Sequence, residues 1–573
     1  MLVLDTAREL PTTGRIWGTG GWFNPAQREA LDWLTLGGLC GWNVQLAHPD
    51  ELEASESLRV PANWMVVTGD PDKISARTVA ALRRVVETQA VSIVVRSGVS
   101  GSAVAEVASV SREPDEISGR SLDWTGPGAG RSWQCRGELS ASLVRTSTRA
   151  RVWATLDGAP IVVATNRGPG TIVTLGFHPS EARDAEGVVT SLLRHLLVSA
   201  STVPVAWLDL ESTMVLRMDD PGSCEQAYRE EGFCTKLGEA DWSRLGSELK
   251  ERDARLSIGY VSGWVDDGQA DRGQLKVSGR RPPRVPGSVF PSPRVRYEVL
   301  QGSHRGAVVD YESEYSGIRS LESDGRASVE LHGYTHVHPD AQAWACAEDR
   351  YEAVAWYREL GRAAAASIVS RPQSEHPLVL GREGLRRFFG TDPTTLICPG
   401  DEWTNEVLEL ALDLGLRLVS SYYLALRIQD RFCWATHVCA PYLDEPDVSW
   451  LDSGLPVIGY FHDFDVVRNG VEWLPRCLDS WHAVGVRRLI DFRGLAAALS
   501  IRLRTSTTGG TVSLDVDRLS DERLDRPIRI LFRTQDGSVP SSLTVNMAAE
   551  QMELPVFLKP HGVGRITLPA RRS

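Results

Sequence analysis

The stretch Ser212-Thr-Met-Val-Leu-Arg-Met-Asp219-Asp220-Pro221-Gly222 sets the reading of this chain. Its β-favouring residues run for the length of a strand, then give way to two acids and a Pro-Gly turn. The pattern recurs in Leu256-Ser-Ile-Gly-Tyr-Val261, Ser328-Val-Glu-Leu-His332, Thr395-Leu-Ile-Cys-Pro399, Leu416-Arg-Leu-Val-Ser-Ser421 and Leu455-Pro-Val-Ile-Gly-Tyr-Phe-His462. Helical spacing lies between them, over Trp242 to Arg252, Arg350 to Ile368 and Thr404 to Leu414. Repeated strand–helix units over residues 206–500 predict an incomplete (β/α) barrel. Barrels of this kind carry their chemistry just past the C-terminal ends of the strands, where polar residues cluster here. The segment Gly279-Arg-Arg-Pro-Pro-Arg-Val-Pro-Gly287 reads as a surface loop and candidate lid.

Outward from this region the pattern changes. Residues 1–205 alternate strand and helix signals: Trp42-Asn-Val-Gln-Leu46, Trp64-Met-Val-Val-Thr-Gly-Asp70, a helix from Lys73 to Thr88, then Val91-Ser-Ile-Val-Val-Arg96. This predicts a flavodoxin-like α/β domain with a mostly parallel sheet. Asp157-Gly158, between two strand-like runs, marks a hairpin, and Gly187 to Ala200 reads as a closing helix. Residues 501–573 show apolar/polar alternation in Thr511-Val-Ser-Leu-Asp-Val516, Ile528-Arg-Ile-Leu-Phe-Arg533 and Gly564-Arg-Ile-Thr-Leu568. That predicts a small antiparallel β-sandwich. The whole chain is thus read as an α/β multidomain protein.

The 573 residues exceed the size at which one core keeps growing, and the 42% hydrophobic and 24% charged content is that of a globular protein. The net charge of −12 argues against nucleic acid as a partner, because phosphate neutralisation needs a basic surface. No apolar run reaches the roughly 18–20 residues that span a bilayer. The first ten residues lack the basic start and apolar block of a signal peptide, so a cytoplasmic location is expected. Nine scattered cysteines without a CxxC pair predict reduced, mostly buried thiols. The 18 tryptophans suit either a large core or stacking against sugar rings. Homo-oligomerisation is left open.

Three signals carry chemistry. Asp219-Asp220 ends a strand where the Pro221-Gly222 turn can bring both carboxylates to one place. In His332-Gly-Tyr-Thr-His336, two imidazoles four apart fall on one face of a helical turn and can reach one metal; His338 follows. Gly459-Tyr-Phe-His462-Asp463, with Asp465 beyond, ends a strand in an imidazole beside acids that can raise its pKa. All three lie at strand ends of one region, the convergence that a metal-assisted hydrolase requires.

This constellation resembles the polysaccharide deacetylase (NodB-homology) family in its divergent branches. The resemblance implies that Asp219 is the catalytic base, Asp220, His332 and His336 the metal ligands, and His462 the catalytic acid. It implies a divalent metal, Zn²⁺ foremost, with Co²⁺, Ni²⁺ or Mn²⁺ also compatible with the ligand set. It also implies removal of acetate from an N-acetylated amino sugar or glycan. Three positions depart from the family. Gly333 stands where Ser or Thr is usual. Ile397-Cys-Pro-Gly-Asp-Glu402 lacks the arginine that holds the base, leaving Arg217 to supply the cation or Asp401 to join the site. The acid that orients the histidine has Asp444 and Asp463 as candidates.

The first region resembles class I glutamine-amidotransferase-like domains through Gly176-Phe-His-Pro-Ser180. Their nucleophilic cysteine is missing from Val95-Arg-Ser-Gly-Val-Ser-Gly101, and Ser180 replaces the acid after His-Pro. The resemblance therefore implies a non-catalytic domain, with His178 structural or ligand-contacting. An amidotransferase-like domain ahead of a deacetylase domain is also the layout of heparan N-deacetylases, an analogy of architecture. Two other functions fit the residues: a glycoside hydrolase using Asp401 and Glu402, and a glycan-binding protein with a decayed site.

Overall fold

The computed structural model describes residues 1–5, 25–48, 63–128, 130–146, 148–180, 186–351, 353–508, 511–519, 526–534, 538–547 and 550–570. The architecture is mixed α/β with several sheets, and among the described residues none closes into a barrel.

In the first region, five parallel strands lie in the order Gln45–Ala47, Leu2–Asp5, Trp64–Thr68, Ser92–Arg96, Gly170–Leu175. Counted along the chain this is 2-1-3-4-5, the flavodoxin-like order. Four antiparallel strands extend it: Ala159–Arg167, Ala150–Leu156, Val110–Trp124 and Arg131–Thr146. The Asp157-Gly158 hairpin forms as its sequence predicts, with φ of 47° and 85° at the two turn residues. The long pair Val110–Trp124 and Arg131–Thr146 carries no matching sequence expectation. Alternation is nonetheless present in Arg131–Thr146, where Trp133, Cys135, Leu139 and Ala141 are buried between exposed Ser132, Gln134, Arg136, Glu138 and Ser140.

The central sheet has a parallel run in the order Leu418–Ser420, Thr395–Ile397, Ala327–Leu331, Leu256–Tyr260, Thr213–Asp219, Val457–His462. Arg488–Ile490 adds to the start of Thr213–Asp219, and an antiparallel hairpin, Tyr423–Ile428 and Arg431–Cys439, continues the far edge. The sheet curls like a barrel but stays open. Between its two edges the described residues show an isolated bridge, Tyr442 to Tyr460, in place of a ladder. Thr213–Asp219 is buried along its whole length, which explains its near-continuous apolar sequence.

Two helices match their predicted positions, Glu239–Glu251 and Asn405–Asp413. The third does not. Residues 350–368 contain short 3₁₀ turns and reach an α-helix only at Ala365–Val369. Within this stretch the Glu359 carboxylate accepts from the backbone N–H groups of residues 334–336. The Pro/Arg-rich loop is pinned: Arg284 pairs with Asp266 and Asp267, each at 2.7 Å.

The C-terminal region forms two four-stranded sheets. One is Ile501–Thr508, Thr511–Arg518, Ser542–Met547 and Glu550–Pro555, with Thr511–Arg518 and Ser542–Met547 parallel rather than antiparallel. The other recruits Val205–Leu208, at the expected first junction, as a partner for Ile528–Arg533. Among the described residues no helix is long and apolar enough to cross a membrane. Seven of the nine cysteines are buried and all are free thiols. Trp33, Trp64, Trp124, Trp242, Trp264, Trp344 and Trp481 are wholly interior, so much of the tryptophan excess is core.

Candidate metal centre

The site starts from strand alternation. Arg217 and Asp219 are two apart on Thr213–Asp219 and so share a face. Arg217 grips Asp219 with both prongs, Nε to Oδ1 at 2.9 Å and Nη2 to Oδ2 at 2.5 Å. It also donates to the Ser421 carbonyl at 2.9 Å and reaches Asp401 Oδ1 at 3.3 Å. Its guanidinium lies over the Tyr460 ring at 5.4 Å. The cation paired with Asp219 is thus Arg217, from the same strand, and the 397–402 segment supplies none. Asp401 is brought in as a partner of that arginine.

Beyond Asp219 the chain reverses. Asp220 takes φ of +77°, and Gly222 follows at +86°. A Cβ at Gly222 would lie 2.0 Å from the Val261 carbonyl, so only glycine fits. The reversal sends Asp220 away from Asp219 toward two imidazoles. His332 Nε2 and His336 Nε2 each lie 3.3 Å from Asp220 Oδ1. One donor atom from each of the three buried residues falls within 4.8 Å of the others. His332 Nδ1 donates to the Ile397 carbonyl at 3.0 Å, which fixes the ring and turns its Nε2 toward Asp220 Oδ1, a hydrogen bond that favours the protonated imidazole against the opposing effect of burial. Burial opposes charge on Asp220, but His336 and His332 outweigh it and hold the carboxyl well below the usual range. His336 is pushed down to about 4 by burial, the neutral form in which imidazole binds metals.

His332 and His336 do not share a helical turn. Residues 332–336 form an irregular loop after Ala327–Leu331, and His336 sits at φ of +65°. Gly333 explains the departure from Ser or Thr: at φ of +68°, its Cβ would meet Glu359 Oε2 at 2.0 Å. Glu359 accepts from the backbone N–H of Tyr334, Thr335 and His336, bracing the loop that the histidines hang on.

Asp219 stands opposite His462 in the register of Thr213–Asp219 with Val457–His462. The His462 ring stacks on Phe464 at 4.5 Å, and its Nδ1 lies 3.4 Å from Asp465 Oδ2. Burial alone would lower its pKa, yet Asp465, Asp220 and Asp219 raise it to about 9. The acid in contact with the His462 ring is Asp465, not Asp463. Asp463 points to Lys236 Nζ at 2.5 Å, and that ammonium also reaches Glu314 and the Asp220 carbonyl. The reason is the capping turn at 462–465, which aims Asp465 back at His462. Asp444 makes no contact of this kind. Sequence reasoning also missed Glu225, whose Oε2 lies 3.7 Å from His336 Nδ1. Its signal was an acid four residues past Pro221, in the helix Glu225–Tyr228.

Asp401 and Glu402 are engaged elsewhere, with Arg217 and Arg358 respectively. In the first region, His178 Nε2 lies 3.8 Å from Glu29, and the Ser180 hydroxyl donates to Asp32 at 2.6 Å.

No family model matches the chain, and no curated protein matches it. Among solved structures it is similar to Agd3, described as a novel carbohydrate deacetylase, over 100% of this chain and 99% of that one, at 10% identity and a TM-score of 0.41. It is also similar to a putative polysaccharide deacetylase from Mycobacterium smegmatis, over 51% of this chain and 92% of that one, at 14% identity and a TM-score of 0.29. An exo-β-1,4-mannosidase, Op5Man5 from Opitutaceae bacterium strain TAV5, covers 35% of this chain with 34% of its own, at 12% identity and a TM-score of 0.24. All three TM-scores fall below 0.5, so the functional reading rests on the site's geometry.

Proposed function

We propose that this protein is a metal-dependent carbohydrate N-deacetylase. The observation that carries the reading is the splitting of Asp219 and Asp220 at one strand end, one toward Arg217 and His462, the other toward His332 and His336. Asp220, His332 and His336 would hold a divalent cation, Zn²⁺ foremost. The donor set fits: three buried ligands converge, and the Ile397 carbonyl engages His332 Nδ1 so that Nε2 is the nitrogen on the Asp220 side. A cation there would supply Lewis acidity toward an amide carbonyl.

The chain's own residues do the proton work. Arg217 holds Asp219 in one orientation, from which its carboxylate accepts the proton of an attacking water. His462 carries a proton at neutral pH and gives it to the departing amine. Tyr442, 39% exposed and packed on Tyr460 at 4.3 Å, borders His462 and offers an apolar face to a sugar ring.

Metal analysis and acetate release from N-acetylated amino sugars and oligosaccharides test the proposal together. One equivalent of divalent metal and acetate production, both lost in His332→Ala, are expected. Stoichiometric metal with no acetate from any N-acetylated sugar would reduce the site to a binding role, and absence of metal would end the proposal.

A further inference from the structure

A second constructed site lies at the other end of the strand that carries Asp219. Glu211 and Ser212 lead into Thr213–Asp219, whose seven residues span roughly 23 Å at about 3.3 Å each. At that start is a cavity of about 490 Å³, within the range of small-ligand pockets. Arg131, Arg194 and His195 of the first region and Arg533, Lys559 and His561 of the C-terminal region line it. Glu211 is the one carboxylate among the described lining residues.

Such a gathering of cations is unexpected in a chain of net charge −12. Like charges repel, and each buried one costs solvation, so a cluster in which cations outnumber the nearby carboxylates calls for a negative partner. Glu211 is already used: it accepts from Arg194 Nη1 at 3.1 Å. Arg194 is 9% exposed and its guanidinium also lies against the buried Cys40 thiol, so it frames the cavity wall. Lys559 has a carboxylate only at 3.9 Å, on Asp209. Arg533 donates to the Ser199 carbonyl at 3.4 Å. His195 is wedged edge-on against Trp124 and Trp133 at 5.1 and 5.8 Å. The desolvated ring, facing Arg131, Arg533 and Arg194, is driven down to about 4 and is a neutral hydrogen-bonding group. Two non-glycine residues of the lining, Ser212 and His561, hold positive φ of 54° and 68°, the kind of strain that folds keep at ligand sites.

We propose that this cavity binds the oxyanion of a small ligand, a carboxylate, sulfate or phosphate group, with Arg131, Arg533 and Lys559 as its donors. It is separate from the metal centre and stands whether or not the deacetylase reading does. Isothermal titration of the full chain with inorganic phosphate, sulfate and glucuronate tests it. Saturable binding of at least one is expected, and which of them binds tells a phosphate- or sulfate-bearing ligand from a sugar acid.

The half-exposed Arg533 and Lys559 are the informative positions, because Arg194→Gln breaks a buried pair and risks the fold. A charge-assisted hydrogen bond is worth about 1.5–3 kcal/mol, so Arg533→Gln and Lys559→Gln should each weaken binding about tenfold or more. Metal content should stay unchanged in both. No saturable binding of any of the three anions, or binding unaltered in both variants, overturns the proposal.

Discussion

The two parallel sheets of this protein make an instructive pair. Each gathers acids and imidazoles at the C-terminal edge of its parallel strands, in the first sheet with Glu29 and Asp32 supplied by the helix Pro25–Leu39. In the central sheet, the donor atoms of Asp220, His332 and His336 turn toward a common point, and the groups behind them, Ile397 O and Glu225, face outward from it. In the first sheet, the polar groups consume one another. The Ser180 and Thr436 hydroxyls donate to Asp32, the Gly69 N–H donates to Glu29, and His178 faces Glu29. Glu29 is raised to about 7 by its burial, more strongly than Arg96 lowers it. Similar residues at similar strand ends therefore differ in whether their lone pairs converge or cancel, and convergence is what chemistry needs.

The largest effect expected from this contrast is at Asp219. Asp219→Asn should cost about 10²–10⁴-fold in turnover while leaving metal content intact, as read by acetate release and metal analysis. Retained turnover would remove the base from Asp219. Glu225→Gln comes next. Loss of a carboxylate behind a metal-binding histidine costs about 10–100-fold in affinity, which competition with a chelator measures. Arg217→Met leaves Asp219 buried without its cation, and urea unfolding should report a loss of about 3–5 kcal/mol.

Asp465→Asn sharpens the comparison through pH. His462 is raised in the folded state to about 9, so its protonated form persists through neutral pH and is lost as pH climbs past that value. Removing Asp465 lowers that pKa, and the alkaline limb of the activity profile should move to lower pH. The smallest effect belongs to the first sheet. His178→Ala should leave turnover and metal content unchanged, and a substantial loss of either would tie the two sheets together functionally.

Much of the centre was readable because it is local. Arg217 and Asp219 share a face through strand alternation, and the Pro-Gly turn after Asp220 announces a reversal. The flavodoxin-like order follows from the β-α-β rhythm of residues 1–205. Errors arose where contacts at long range overrode local pattern. The histidine pair looked helical by spacing, but Glu359 captures the backbone N–H groups that a helix would have used. Asp463 and Asp465 are both plausible partners for His462, and only the capping turn at 462–465 chooses between them.

By itself, the sequence determined the parallel strands of the central sheet, their polar ends and the residue types of a candidate metal centre. These depend on periodicity and on turn chemistry, which act over a few residues. Tertiary structure alone decided that the central sheet stays open, that Val205–Leu208 joins the C-terminal sheet, and that Glu225, Glu359 and Asp465 serve the centre. It also placed the cations of the distal cavity together from residues more than 400 positions apart. The physical reason is common to all of them: a buried polar group must find its partner in space, and sequence distance says nothing about which one it finds.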